Sequence, residues 1–527
     1  MPASNSREPG ATPTPADRAL EVGARLERGP SERLIRTAFR KELDDQLDLF
    51  EAMGLADLAH TLAMMEAGIV PPAAGRELVA ALLKLHEWPG DFVPVPEHGD
   101  LYTNREVWLA RETDASVWLG AGRARREATT TAFLMKLRAG LLDLTEALLA
   151  AGRTLTARAR EFQAALMPDY TYLLSAQPTS LGHYLLGFAY PLRRDLDRVR
   201  ALHGRVNQSP AGCGSTNGSR LPQHRERLRE LLGFDTLASH ARDAMWQADL
   251  PIEAAALLTA VLVNLDRLAE DLQIFSTEEF GLVELDDRHA RASKIMPQKK
   301  NPFALTHVRG LANTMVGTLA ASAALGRTPS GQPDNRLALY GMIPRAIQDT
   351  RDAVELMGEV VGGLRFNAPR GRARLKESFA AATDLAEVLV LECGLDFRQA
   401  HRLVGTLVRG HLDGGGFSGL TPDDLAEASR RVLGRRIEIP EAALSDALNP
   451  EAALAARADP GGVGREAMAA MFAECERAWS DAETWSGDGR GQSRRAEEAL
   501  LELAHACPRD STANTSRPLG GRGRGDV

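Results

Sequence analysis

Residues 123–166, RARREATTTAFLMKLRAGLLDLTEALLAAGRTLTARAREFQAAL, run without a single proline. Leu134, Leu137, Leu141, Leu144, Leu148 and Leu155 recur within this stretch at spacings of three, four or seven residues. That is the period of one face of an α-helix, and the helix it predicts is far longer than average. A second stripe, Leu258, Leu262, Leu265, Leu268, Leu272 and Phe275, predicts a helix over 252–275, with Asp266, Arg267, Glu270 and Asp271 largely on its other side. Two more long helices are expected over 303–325 and 342–364. Strand-like alternation is scarce. The fold class is therefore all-α, a long central helical bundle flanked by smaller N- and C-terminal helical domains. Apolar stripes of such length commonly continue across a subunit interface.

The domains are expected at 31–120, where short helices surround the polar segment EHGDLYTNRE, at 121–365 for the long bundle, and at 366–485 for a second set of short helices. Residues 1–30 and 486–527 are rich in Gly, Pro, Ser and charge, and are expected to be disordered tails.

Composition narrows the function classes. Of the 527 residues, 44% are hydrophobic and 25% charged, as in a globular protein, and no window holds the roughly 18 uninterrupted apolar residues that a membrane span needs. The N-terminus has no apolar signal core, so cytoplasmic residence is expected. A net charge of −8 argues against nucleic acid as a partner. Cys213, Cys393, Cys475 and Cys507 lack metal-ligand spacing, so reduced thiols are expected, with neither metal nor cofactor.

The chemistry-bearing stretch is Ala292-Ser293-Lys294-Ile295-Met296-Pro297-Gln298-Lys299-Lys300-Asn301-Pro302. It sets a hydroxyl, three lysines and an asparagine before a predicted helix, with Asn301 as N-cap and Pro302 as first helical residue. Such a helix start attracts carboxylates. A solvated basic turn would show the same lysines.

The longer pattern resembles the S-x-M-P-x-K-x-N signature of the fumarase/aspartase superfamily, in the MPQKKNP wording of argininosuccinate lyases. Further segments resemble that family in the right order: MPDYTYLLSAQPTSLGHYL, NQSPAGCGSTNGSRLPQHRERLRELLGFD and ATDLAEVLVLECGLDFRQAHRLVG. The resemblance covers about residues 35 to 480. It implies a homotetramer whose active sites are each assembled from three subunits, acting on a small dicarboxylate and releasing fumarate by carbon–nitrogen elimination. Ser293 aligns with the family's base, and Lys299 and Asn301 with residues that grip the carboxylate. Thr171 and Gln177 align with substrate contacts, as does Arg125 with the arginine of an S-R-N triplet preceded here by Arg123.

The chain departs from the family on these same segments. Tyr172 stands where the family has a histidine, and Thr306 where it has the glutamate that pairs with it. The residue at 172 is retained in the expected catalytic set because its hydroxyl can donate a hydrogen bond or a proton. In place of LHTGRSRND the chain has Leu119-Gly120-Ala121-Gly122-Arg123-Ala124-Arg125-Arg126-Glu127, which removes hydroxyl and amide donors and adds a cation. Gln332–Arg336 stands for the segment that contributes to holding the guanidino end. Three readings stay open: an argininosuccinate lyase, a related lyase releasing fumarate from another N-substituted aspartate, and a non-catalytic structural member.

Overall fold

The computed structural model describes residues 19–22, 25–329 and 337–507. In chain order its main elements begin with α1 (Arg40–Gln46), α2 (Phe50–Glu66), α3 (Pro72–His86) and α4 (Leu101–Glu112). The long α5 (Arg125–Glu161) follows, then a hairpin of β1 (Leu166–Thr171) and β2 (Leu174–Ser180), and α6 (Leu181–Val206). Next come α7 (Asp249–Phe275), the two-residue strands β3 (Arg291–Ala292) and β4 (Lys300–Asn301), α8 (Phe303–Leu325) and α9 (Leu337–Gly362). Beyond these lie α10 (Ala382–Cys393), α11 (Phe397–Gly410), α12 (Pro422–Leu433) and α13 (Arg465–Ala506). The all-α class holds: the strands among the described residues make only short two-stranded sheets.

The leucine stripe explains α5. All six of its leucines are at most 4% exposed, and helix α5 spans 37 residues, or about 55 Å at 1.5 Å per residue. The directions of its neighbours follow from cross-contacts. Helix α6 returns antiparallel to α5 through the hairpin. Helix α7 is antiparallel to α6, since the Tyr184 hydroxyl donates to Asp271 at 2.7 Å near one end and Arg205 pairs with Glu253 near the other. Arg309 of α8 bonds Asp266 and Glu270 of α7. Helix α9 runs parallel to α5, with Tyr340 bonded to Thr130 at 3.0 Å and Gly358 lying against Ala151.

The structure alters four expectations. Residues 486–506, expected in a disordered tail, continue α13, whose 42 residues run antiparallel to α5 through Arg160–Glu476, Arg153–Glu483 and Arg490–Asp143. Glycines 487, 489 and 491 give this segment the local look of a tail; burial of Leu500 and Ala504, both 0% exposed, offsets their weak helix propensity. Of the expected tails, residues 19–22 and 25–30 are described, with a bridge between Val22 and Leu26, while 1–18, 23–24 and 508–527 lie outside the described residues, as do Gln332–Arg336. The segment 31–120 has no core of its own, because Leu43, Met53 and Leu82 join the same cluster as Leu134 and Leu258. The C-terminal domain is a separate cluster from Leu385 to Ala447, whereas Met468, Phe472 and Trp479 of α13 return to the main core, so this domain ends before 465. Finally, Asn301 is a strand residue and Pro302 the cap position of α8, without a side-chain cap. The pairing of Asn301 with Arg291 across the ribbon holds the backbone extended one residue longer than capping rules predict. No helix among the described residues is long and apolar enough to cross a membrane.

Candidate active site

The ribbon β3–β4 presents the signature loop. Arg291 pairs with Asn301 and Ala292 with Lys300, and the Asn301 side-chain amide donates to the Arg291 carbonyl at 2.9 Å. At the tip, the Ser293 backbone N–H donates to the Lys299 carbonyl at 3.2 Å. The Ser293 Oγ accepts from the backbone N–H of Met296 at 3.0 Å and of Ile295 at 3.4 Å. Two donors aimed at one hydroxyl oxygen favour its anionic form, which is what a serine must become to act as a base. Lys294 and Lys299 flank it and are exposed. Lys300 is instead spent on the ribbon's base, donating to the Leu285 carbonyl at 2.6 Å and pairing with Asp287 and Glu284.

The hairpin β1–β2 carries the next group. Thr171 pairs with Leu174, so the turn consists of Tyr172 and Leu173, at φ 54° and 60°. That is the type I′ pattern, which needs φ > 0 at both central positions and favours Asn-Gly. A tyrosine and a leucine there hold a left-handed conformation at a cost of order 1–3 kcal/mol each. The turn lifts the Tyr172 side chain to 98% exposure, with Thr171 and Gln177 also exposed. Thr306, whose position pairs with 172 in the family, lies exposed on the first turn of α8 and its hydroxyl donates back to the Pro302 carbonyl.

A third group gathers where α5 begins. Arg125 pairs through Nε with Asp100 at 3.2 Å, and Asp100 also caps α4 through the Thr103 backbone N–H at 2.9 Å. Arg126 lies over the Trp246 ring, 5.6 Å from its centroid. Glu127 accepts from the backbone N–H of Gly212 at 2.8 Å and from that of Gly214. Both glycines have φ above 70°, which lets their N–H groups converge on one carboxylate. Burial pushes the Glu127 carboxyl up to about 7 against the pull of Arg123 and these donors.

Arg123, expected to bind substrate, does not face a site. Its side chain is 2% exposed and pairs with Asp57, whose other oxygen holds Arg105 at 2.8 Å. One buried carboxylate between two guanidiniums fixes α2, α4 and the start of α5 together, and removing it would leave two buried charges unpaired.

Sequence reasoning missed the carboxyls around Arg125. Glu42 of α1 is raised to about 7 by burial and then by Asp100, with Arg125 and Arg126 opposing the rise. Glu106 is raised to about 7 by burial, Asp100 and Asp57. The segment EHGDLYTNRE held a clue in its acids at spacings of three and six, yet Glu42 lies far away in sequence.

The placement of these groups is decisive. The hairpin leaves the C-terminal end of α5 while Arg125 opens its N-terminal end, about 54 Å away along the helix. The signature loop shares the hairpin's end of the bundle, since Tyr170 packs on Phe275 at the end of α7 and α8 starts opposite it. Residues of one chain therefore cannot bring Arg125 and Ser293 onto one small ligand.

The lyase family profile matches residues 60–317, and that of the argininosuccinate lyase C-terminal region matches 379–455. The argininosuccinate lyase of Methanosarcina mazei is 33% identical over 451 residues, covering 84% of this chain and 90% of its own. That of Archaeoglobus fulgidus is 29% identical over 488 residues, covering 91% and 97%. A solved structure of an EDDS lyase variant with bound fumarate superposes with a TM-score of 0.82 at 26% identity, over 92% of this chain and 98% of that one. Bundle, signature loop and relatives together define a lyase of the fumarase/aspartase superfamily. Within it, the chain belongs to the argininosuccinate lyase family.

Proposed function

We propose that the protein is a carbon–nitrogen lyase that eliminates fumarate from an N-substituted aspartate, in a homotetramer whose active sites join opposite ends of neighbouring subunits. The observation that carries the reading is the Ser293 Oγ held by two backbone donors within the S-x-M-P-x-K-x-N loop. As alkoxide, Ser293 takes the proton on the carbon next to a carboxylate. The electron pair moves into that carboxylate, giving a dianionic intermediate that Lys299, Asn301 and the N-terminus of α8 stabilise. When the pair returns, the carbon–nitrogen bond breaks and fumarate leaves. Arg125 from another subunit, with Thr171 and Gln177, holds the remaining carboxylate and the amine half.

Assembly is supported by α8, whose exposed residues after Arg309 include Val316, Ala320, Ala323 and Ala324 and no charged side chain. The relatives and the neighbour carry lyase names, which favours catalysis over a non-catalytic role. Argininosuccinate is the first substrate to test. Tyr172 and Thr306 in place of an acid–base pair favour a second reading, an aspartate bearing a different amine. Incubating purified protein with fumarate and a panel of amines, arginine included, tests both readings by the adduct formed. No adduct with any amine, and no fumarate from argininosuccinate, would overturn the function.

A further inference from the structure

The arm that leads into α5 has lost its neutral donors. Where the family reads LHTGRSRND, the threonine, the serine and the asparagine are here Ala121, Ala124 and Arg126. The loop at residues 212–219 is laid directly against this arm. The Ala124 backbone N–H donates to the Gly214 carbonyl at 3.2 Å. Gly122 lies so close to the loop that a Cβ there would come 2.8 Å from the Ser219 Oγ. From α5 itself, the buried Glu127 carboxyl accepts from the Gly212 N–H at 2.8 Å and from the Gly214 N–H. A bond from the Gly218 N–H to the Cys213 carbonyl at 3.2 Å closes the loop, so residues 215–217 form its tip.

The tip reads Ser215-Thr216-Asn217, the three residue types that the arm lacks, where the family's SPLGAGALAG segment has Ala-Leu-Ala. Ser215 and Asn217 are exposed and Thr216 is half-buried, and none of the three side chains bonds to another described residue. Across the Ala124–Gly214 bond, standard backbone dimensions keep the α-carbons of Arg125 and Ser215 within about 15 Å of each other. Two hydroxyls and an amide beside an exposed guanidinium suit a carboxylate, whose oxygens accept several donors at once.

Resting on the lyase reading above, we propose that Ser215, Thr216 and Asn217 bind the substrate carboxylate that Arg125 holds, in place of the donors missing from the arm. Because the tip shares an end of the bundle with Arg125, it serves the Ser293 of another subunit. That carboxylate is kept in the product, so fumarate is itself a probe of the tip.

The test measures fumarate binding by titration calorimetry to the assembled wild-type protein, to Ser215→Ala, Thr216→Val and Asn217→Ala, and to the triple variant. The triple variant should bind fumarate about 10- to 100-fold more weakly, each single change contributing part of the loss. On whichever N-substituted aspartate the amine panel yields, KM should rise more than kcat falls, since the carboxylate is gripped in ground and transition states alike. Donors returned to the arm, by Ala121→Thr with Ala124→Ser in the triple variant, should recover most of the lost affinity. A tip that only shaped its own loop could not be rescued from the facing segment. The proposal is overturned if the triple variant binds fumarate as tightly as the wild type, or if the arm donors recover none of the loss. Should the triple variant not fold, wild-type affinity in all three single variants overturns it equally. A wild-type protein that neither binds fumarate nor forms any adduct defeats the lyase reading itself, and the proposal with it.

Discussion

Arg125 opens α5, whose first and last residues are about 54 Å apart, and Thr171 ends the strand that follows its far end, although both residues align with substrate contacts. Helix length, more than any single side chain, makes the proposed chemistry require a site shared between subunits.

Ser293→Ala should reduce fumarate release at least about 10³-fold while shifting folding stability by no more than about 0.5 kcal/mol, because the side chain lies on an exposed ribbon and bonds only its own loop. Steady-state rates and urea unfolding on the same preparation check both halves. Elimination at the wild-type rate would show that another group is the base.

Gly487→Ala should stabilise the protein by about 0.5–1 kcal/mol, since the glycine sits inside α13 and an added Cβ meets nothing within 4 Å. Urea unfolding reads the effect directly. A neutral or destabilising result would contradict helical structure beyond residue 485.

Glu106 keeps its proton up to about 7 in the folded chain, against an ordinary 4.5. A carboxyl raised in this way binds more protons folded than unfolded, so its contribution is present at low pH and is lost as pH climbs between those two values. Glu106→Gln should flatten the decline of stability across that window. Thermal unfolding in a pH series gives the slope, and an unchanged slope would refute the assignment.

Restoring the family's pair, Tyr172→His with Thr306→Glu, should gain little argininosuccinate cleavage and should lower activity on the protein's own substrate. Tyr172 is held at the turn by a strained backbone and Thr306 bonds only its own helix, so the pair alone does not rebuild the opposite wall of the pocket. Rates of the single and double variants on both substrates decide the matter. A large gain on argininosuccinate would mean that the substrate had never changed.

The long helices could be read from sequence because burial of a stripe leaves a period, and Leu134 to Leu155 mark α5 wherever the chain sits. The tail of α13 could not: its glycines report local preference, while its helix depends on Leu500 and Ala504 packing against distant segments. The hairpin turn was hidden for a similar reason, since Tyr172-Leu173 lacks the residues that left-handed turns favour. Ser293 and Lys299 stood out through a motif. Asp100 did not, because its importance arises from Arg125 meeting it across the fold. Arg123 looked like Arg125 on paper, and only the buried Asp57 separates the two.

The most direct test of a shared site mixes two inactive proteins. Ser293→Ala and Arg125→Ala homotetramers are combined, dissociated and reassembled, and fumarate release is followed with light scattering or native mass spectrometry to verify mixed tetramers. If opposite ends of different subunits build each site, random mixing restores up to about a quarter of the sites with both groups intact. If mixed tetramers form and stay as inactive as their parents, Arg125 and Ser293 serve the site from one chain and the account is wrong.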